Sequence, residues 1–380
     1  MNTTCCRKEI TLTEQEKEVF SRHLKQQELS DNVWDLFGEW IARSTSRVSF
    51  FYLKVYRDDE LIGLGLFVRT RPFDLRTSYS ALRNNRFLRQ LAGSLSVLAN
   101  NCVYLSFRNL ITSNLTRPFF YQEPAMANDI MKAFLAYLKN EKEADMVIVV
   151  DTSIHDDIYQ TEGFLKYPSS SEAWLDATRY KDISEYLAEH RSLKKNLARR
   201  RKDVTSEVQQ GPVSDPDRKQ MKSCVECSVE NSRVNTPCQK FFEDNIFETD
   251  VFNSHKYVHF LVRVDGTIAG FHTFQVSGSD MGGVLGGFNR DYSQKSFAYE
   301  RVIVASLDYA IKNNIKRVHY SLIDNYTKLR LIDSVEPCGL YFYSGSPLKR
   351  KMFKLTNRFG DIHRLYLLEK QGRKESKQQE

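Results

Sequence analysis

Two stretches of the chain carry the same alternation of apolar and polar positions. In VRVDGTIAGFHTFQV (262–276) two apolar runs flank Asp265-Gly266, a dipeptide suited to a two-residue turn, which predicts an antiparallel hairpin. LKVYRDDELIGLGLFV (53–68) has the same shape, with Arg57-Asp58-Asp59-Glu60 as its turn. The second strands open alike, at Ile62-Gly63 and at Ile268-Ala269-Gly270. Each hairpin is followed by a helical period. Ile130, Ala133, Phe134, Tyr137 and Leu138 form a stripe in NDIMKAFLAYLKN (128–140), and Tyr299, Val302, Ile303, Leu307 and Ala310 form one in AYERVIVASLDYAIKN (298–313). Apolar runs follow at 145–150 (DMVIVV) and 316–322 (KRVHYSL). A glycine-aromatic approach to a last strand comes after each, at Gly163-Phe164 and at Gly339 with Tyr341. The first copy also carries an insertion, beginning RPFDLRTSYSALRNN, between its hairpin and its helix. One shared hairpin would say little. The whole repeated order predicts two copies of one unit in a mixed, layered α/β fold, because amphipathic helices need a sheet face to cover.

Between the second hairpin and its helix, four glycines (Gly282, Gly283, Gly286 and Gly287) lie between Met281 and Phe288. Glycine weakens a strand, so this strand is expected either to be approached closely by something or to lie at an edge. Upstream, Asp182 with Glu185 forms a capping pair that predicts a helix running to about residue 207, ended by Gly211-Pro212. On it Tyr186, Leu193, Leu197 and Val204 share one face, and Arg191, Lys195, Arg199 and Lys202 the opposite one. The segment RSLKKNLARRRK (191–202) contains no acid. It reads either as a solvated face or as a surface for a polyanion.

Length and composition sharpen this picture in a few places. A chain of 380 residues exceeds the usual single core, so two domains are expected. The net charge of +7 matters because part of it is concentrated at 191–202. No apolar run approaches a membrane span, and the N-terminal MNTTCCRKEI lacks a signal-peptide core, so an intracellular, cytoplasmic location is expected. Seven cysteines fit a reducing compartment. CVEC (224–227) with Cys238 lacks a fourth ligand at suitable spacing, the next histidine being His255; Met221, Cys224, Val225 and Ser228 share a helical face, so buried thiols are expected and no metal. His259, His272 and Tyr299 share faces with apolar neighbours and read as core residues. Neither GxSxG nor HExxH occurs.

The order hairpin, glycine-rich strand, helix, strand resembles the GNAT acyltransferase fold. Two copies joined by a basic helix resemble the Fem-type peptidyltransferases and related tandem GNAT proteins. The stretches that carry this likeness are EGFLKYPSSSEAWLDATRYKDISEYLAEHRSLKKNLARRRKDV (162–204) and the passage from VDGTIAGFHTF through GGFNRDY to HYSLIDNYTKLRL. The resemblance implies an α/β (α+β) fold of two tandem GNAT-like domains, at 1–178 and 211–370. Their mixed, mostly antiparallel sheets would be flanked by helices and joined by a long basic helix at 179–210, with a disordered tail expected at 371–380. It implies an acyltransferase moving an acyl or aminoacyl group from a thioester or ester donor to an amine or hydroxyl. The donor would be acyl-CoA, acyl carrier protein or aminoacyl-tRNA, a co-substrate and not a tightly bound cofactor. The acceptor would be a small molecule or peptide. The rival reading is a non-catalytic module that binds RNA or a carrier protein.

In that family the acyl donor's arm lies where the glycine-bearing strand splays from its neighbour, which implicates Gly286, Gly287 and Phe288; a valine at Gly287 would then obstruct the arm. A helix beginning near Ser296, with Lys295, would meet phosphate, and Lys195 and Arg199 would meet the donor or its carrier. The catalytic polar residues would be Ser321, Asp324, Asn325, Tyr326 and Lys328. One departure is visible: NRDYSQKS stands in place of the family's phosphate loop.

Overall fold

Two consecutive residues with positive φ stand at the tip of each predicted hairpin. They are Asp58 and Asp59 (49° and 68°) in the first copy and Asp265 and Gly266 (48° and 79°) in the second. That is the backbone of the turn whose twist matches its flanking strands. The second strands also share an irregularity. Ile62 and Ala269 are extra residues in the register, each just before the glycine (Gly63, Gly270) that resumes pairing. The same bulge at the same place in both copies confirms the internal repeat.

The computed structural model describes residues 4–26, 32–71, 102–106, 118–141, 144–152, 155–167, 171–198, 203–232, 237–322, 330–351 and 354. The first half contains β1 (Thr4–Glu9), α1 (Glu14–Gln26), α2 (Asn32–Ala42), β2 (Val48–Arg57), β3 (Glu60–Thr70), β4 (Val103–Ser106), β5 (Phe119–Tyr121), α3 (Ala127–Asn140), β6 (Met146–Thr152), α4 (Asp156–Thr161), β7 (Leu165–Tyr167) and β8 (Ser171–Asp176). Two short helices follow, α5 (Ile183–Glu189) and α6 (Arg191–Ala198). The second half contains β9 (Val204–Gln210), α7 (Asp215–Ser232), α8 (Pro237–Asn245), β10 (Tyr257–Val264), β11 (Thr267–Ser277), β12 (Asp280–Phe288), α9 (Arg290–Ser296), α10 (Ala298–Lys312), β13 (Arg317–Leu322) and β14 (Ser334–Tyr343).

The strands lie in the order β1-β2-β3-β4-β6-β14-β8-β13-β12-β11-β10-β9, with β5 on β3 and β7 on β14. Among the described strands, only β4/β6 and β12/β13 are parallel pairs. These are two mostly antiparallel sheets joined through β14: its residues 334–337 pair with β8, and 338–343 pair with β6. The halves therefore exchange strands. β8, from the first half, pairs with β13, and β14, from the end of the chain, pairs with β6.

Amphipathic helices cover the sheet faces as their periods require. Ile130, Met131, Phe134 and Leu138 of α3 pack on Phe51, Leu53 and Val149, and Val302, Ile303 and Leu307 of α10 pack on Phe260, Phe274 and Val318. The opposite faces meet in one shared core. There Trp40 of α2 stacks on Phe242 of α8 (5.3 Å), and Phe241 touches both Trp40 and Phe50. Among the described residues, no helix is long and apolar enough to cross a membrane.

The long basic helix is corrected. Asp182 does cap a helix, its carboxylate accepting from the Ser184 and Glu185 amides, while Glu185 accepts from the Lys181 amide. That helix stops at His190, whose ring nitrogen lies 3.0 Å from the Tyr186 carbonyl and whose backbone leaves the helical region (φ −105°, ψ 59°). A second helix runs from Arg191 to Ala198. Val204–Gln210, expected as the helix end, is instead an edge strand with seven residues paired to β10. Pairing the open edge of β10 outweighs the modest helix propensity of a Val-Thr-Ser stretch.

Candidate functional site

The strand registers align the two halves residue by residue. Gly63 opposes Tyr121 as Gly270 opposes Phe288, and Val103 opposes Met146 as Asp280 opposes Arg317. The mates of Gly282 and Gly283 are then Leu105 and Ser106, and those of Gly286 and Gly287 are Phe119 and Phe120. The repeat becomes an internal control: positions where the copies differ in chemistry are those the fold alone does not require.

The parallel pair β12/β13 is short. Asp280, Met281 and Gly282 pair with Arg317, Val318 and His319, and pairing then stops. The β11/β12 register shifts immediately beyond, with Val284 as the extra residue, and a bulge there bends β12 away from its neighbour. Past it, β12 stays on β11 as far as Phe288, and among the described residues no strand pairs with its other edge, which leaves a gap there. The far end of that edge is occupied: Ser228 of α7 accepts from the Phe288 amide (2.8 Å) and donates to its carbonyl (3.3 Å). Phe288 thus points its backbone polar groups away from β11, and by antiparallel alternation Gly286 does the same, into the gap. In the first half the corresponding opening is bridged, because the Ser106 hydroxyl accepts from the Val150 amide at 3.0 Å. Phe119 and Phe120 stand there in place of glycines.

The four glycines have different neighbours. A Cβ on Gly287 would lie 2.6 Å from the Val225 nitrogen and 2.8 Å from the Cys224 carbonyl carbon, so this glycine lets the α7 backbone pack against the strand. Gly287 does not point its missing side chain into the gap, and the expected obstruction by valine is corrected to a collision with α7. Gly283 and Gly286 lie under the imidazole of His272, with would-be Cβ atoms 2.8 Å from its Nε2 and 3.2 Å from its Cδ2. The predicted thiol packing holds: Met221, Cys224 and Val225 are buried, and the Cys224 thiol donates to the Ile268 carbonyl.

The helix expected near Ser296 does begin there, at Ala298, but a short helix separates it from the strand. α9 begins directly after the strand, at Arg290; Ser296 is its buried last residue, and Phe297, in the left-handed region, precedes α10. Arg301 locks this junction by donating to the Ser296 carbonyl (2.9 Å) and to the Leu197 carbonyl of α6 (3.0 Å). The bend leaves the first turn of α10 behind a short helix and not at the end of the strand.

The opposite face of the second sheet holds a buried polar group that the sequence reading missed. Thr273, Gln275, Asp280 and His319 are buried there, whereas their mates in the first half are Leu66, Val68, Val103 and Ile148. Arg317 donates to both Asp280 oxygens (3.1 and 2.6 Å) and lies over the Trp174 ring; His319 Nε2 is 3.6 Å from the same carboxylate. Burial pushes the Asp280 carboxyl up, but His319 and Arg317 more than offset this and hold it below its ordinary range. His259 shares this face, its Nδ1 2.9 Å from the Thr273 hydroxyl; burial pushes it down to about 4, so it is neutral at pH 7. Comparing the two copies position by position would have exposed these residues.

The other sequence-predicted residues fall as follows. Phe288 ends the gap strand, and its ring packs on Tyr299. Lys195 is exposed on α6. Lys295 lies in α9 and Ser321 in β13, with side chains outside the described ones. Arg199, Asp324, Asn325, Tyr326 and Lys328 lie outside the described residues.

No protein-family model matches the chain, and no curated protein matches its sequence. Solved structures do match. A tandem GNAT protein from the clavulanic acid biosynthesis pathway shares 8% identity over 91% of this chain and 99% of that one, with a TM-score of 0.52. L-PGS from Bacillus licheniformis shares 12% over 90% and 96%, with a TM-score of 0.51. FemX shares 11% over 92% and 100%, with a TM-score of 0.50. With the repeated unit, the exchanged strands and the splayed parallel pair, these likenesses show that the chain has a tandem GNAT fold of the kind seen in FemX.

Proposed function

We propose that the protein is an acyltransferase that holds a thioester or ester donor along β12 and passes its acyl or aminoacyl group to an amine or hydroxyl. The observation that carries this reading is the asymmetry of the two openings. Both parallel pairs end after three residue pairs; beyond them Ser106 bridges the first half, whereas in the second half, among the described residues, the Gly286 backbone is turned into an open gap. An extended arm with amide groups can pair with such an edge as an added strand would. In this reading 1–178 and 211–370 are the two units, and the acceptor, a small molecule or peptide, enters where they meet. α9 occupies the place of the family's phosphate loop, so the donor's arm supplies most of the binding and its nucleotide little. The exposed Arg191, Lys194 and Lys195 of α6 support an anionic donor or carrier, such as acyl carrier protein or tRNA.

The test is native mass spectrometry of freshly purified protein, followed by titration with acetyl-pantetheine and with acetyl-CoA. A retained acyl donor, or similar affinities for the two compounds, is the expected result. A preparation free of ligand that binds neither compound, nor an aminoacyl-adenosine, would overturn the reading.

A further inference from the structure

We infer that His272 is the proton acceptor for the attacking amine or hydroxyl, an assignment that rests on the donor lying in the β12/β13 gap. The imidazole is seated where the strand lacks side chains. His272 pairs across β11/β12 with Gly286, and its ring covers both Gly286 and Gly283. A Cβ on either glycine would press on it, at 3.2 Å and 2.8 Å. The first half inverts this arrangement. The mate of His272 is Gly65, the mate of Gly286 is Phe119, and the Phe119 ring fills the space, stacked on Phe134 at 4.7 Å. The fold closes this floor with hydrocarbon in one copy and sets an imidazole on it in the other.

The ring lies beside the point where the strands part, 6.3 Å from the Tyr320 ring across the opening. The other titratable groups of this sheet and of α7 are poor alternatives. The Tyr320 hydroxyl is engaged by Ser306 (2.6 Å) and donates to the Ile303 carbonyl (3.3 Å), and burial pushes it far up. Burial pushes the Cys224 thiol up to about 12, and it donates to a carbonyl. His259 and His319 are buried on the other face, whereas His272 is half-buried. Histidine suits the step because it exchanges a proton near neutral pH. The acceptor nitrogen or oxygen bonds to the acyl carbon, and its proton passes to His272. The carbon–sulfur or carbon–oxygen bond of the donor then breaks, and the same proton goes to the leaving thiolate or alkoxide.

Arm-directed alkylation of the wild-type protein tests this. Bromoacetyl-pantetheine and 3′-O-bromoacetyl-adenosine place an alkylating carbon one bond beyond the acyl carbon, and bromoacetamide serves as the armless control. The expected result, read by peptide mass spectrometry, is an adduct on His272 forming on the order of tenfold faster than with bromoacetamide. His272→Gln should lose the adduct while keeping the melting temperature. An arm-dependent adduct on another residue, such as His319 or Cys224, would overturn the assignment and leave the gap reading standing. Labelling that does not depend on either arm would overturn both.

Discussion

Gly286 and Gly287 are neighbours in one strand, but their missing side chains point to opposite faces, and so their substitutions should differ. Gly287→Ala puts a methyl group against the backbone of Cys224 and Val225, which cannot swing aside. It should cost about 1–3 kcal/mol, the usual penalty of overpacking. Gly286→Ala meets, nearest, the His272 ring and the Phe271 carbonyl at 3.2 and 3.3 Å, so a small shift accommodates it, and its melting temperature should stay closer to wild type. Equal losses in thermal melts of the two variants would contradict this division. Asp280 gives a second expectation. Its carboxyl titrates below its unfolded value of about 4, so its contribution is present above that pH and fades as pH falls through the folded value. Asp280→Asn should therefore cost about 1–3 kcal/mol near pH 7, as for a buried partner left unpaired. The half-exposed Arg317 places the effect toward the lower end, and the gap to wild type should narrow as pH falls below the unfolded value. A loss that is independent of pH would refute the ionic account.

At the level of elements, the same parallel pair is built twice and finished differently. β4 and β6 are held beyond their paired residues by the Ser106–Val150 hydrogen bond, both groups being buried. Ser106→Ala leaves the Val150 amide without that acceptor and should destabilise by about 1–3 kcal/mol. Faster amide exchange at Val150 would mark the loosened edge, whereas exchange and melting temperature both unchanged would show that the bridge does not hold the strands. The helix pair α5/α6 illustrates a limit of local signals. The capping residues at Asp182 and Glu185 form as their spacing predicts, but the length of the helix is set by where the chain must turn to reach the edge of β10. Lys54 shows the complementary case. It is buried between Glu9 and Glu16, both at 2.8 Å, and so fastens β1 and α1 to β2. Burial lowers its pKa, but the two carboxylates raise it further, keeping it charged.

The whole molecule is tied together at two places: the exchanged strands and the shared aromatic core. β8 pairs with β13 and β14 with β6, and α2 meets the second half through Trp40 on Phe242 and through the Glu39 carboxylate, which accepts from the Asp250 amide at 3.2 Å. A chain cut at residue 178 leaves the first fragment without β14 and leaves β13 without β8. Fragments 1–178 and 179–380 should each lack a cooperative thermal transition and should regain one on mixing, whereas the intact chain should unfold in a single transition. A sharp transition in either fragment alone would show that the exchanged strands are dispensable.

Local pattern along the chain was enough to specify the repeated unit and its parts. Asp58-Asp59 and Asp265-Gly266 specify their turns through backbone preferences that act over a few residues, and the stripes at 130–138 and 302–310 specify helices because side chains three and four apart share a face. It also marked β12 as unusual, since four clustered glycines defeat ordinary strand packing. What each glycine faces was not legible. That depends on the bulge at Val284, on α7 coming close over Gly287, and on His272 leaning across from β11, all contacts between residues far apart in the chain. The polar set of Asp280, Arg317 and His319 was hidden for the same reason: in a list of residues they are three ordinary polar side chains, and only strand pairing brings them together and buries Asp280 and His319. Strand exchange through β14 was equally out of reach, because short-range periodicity names a strand, whereas its partner is chosen by which open edge and which apolar layer the folded chain leaves to be covered.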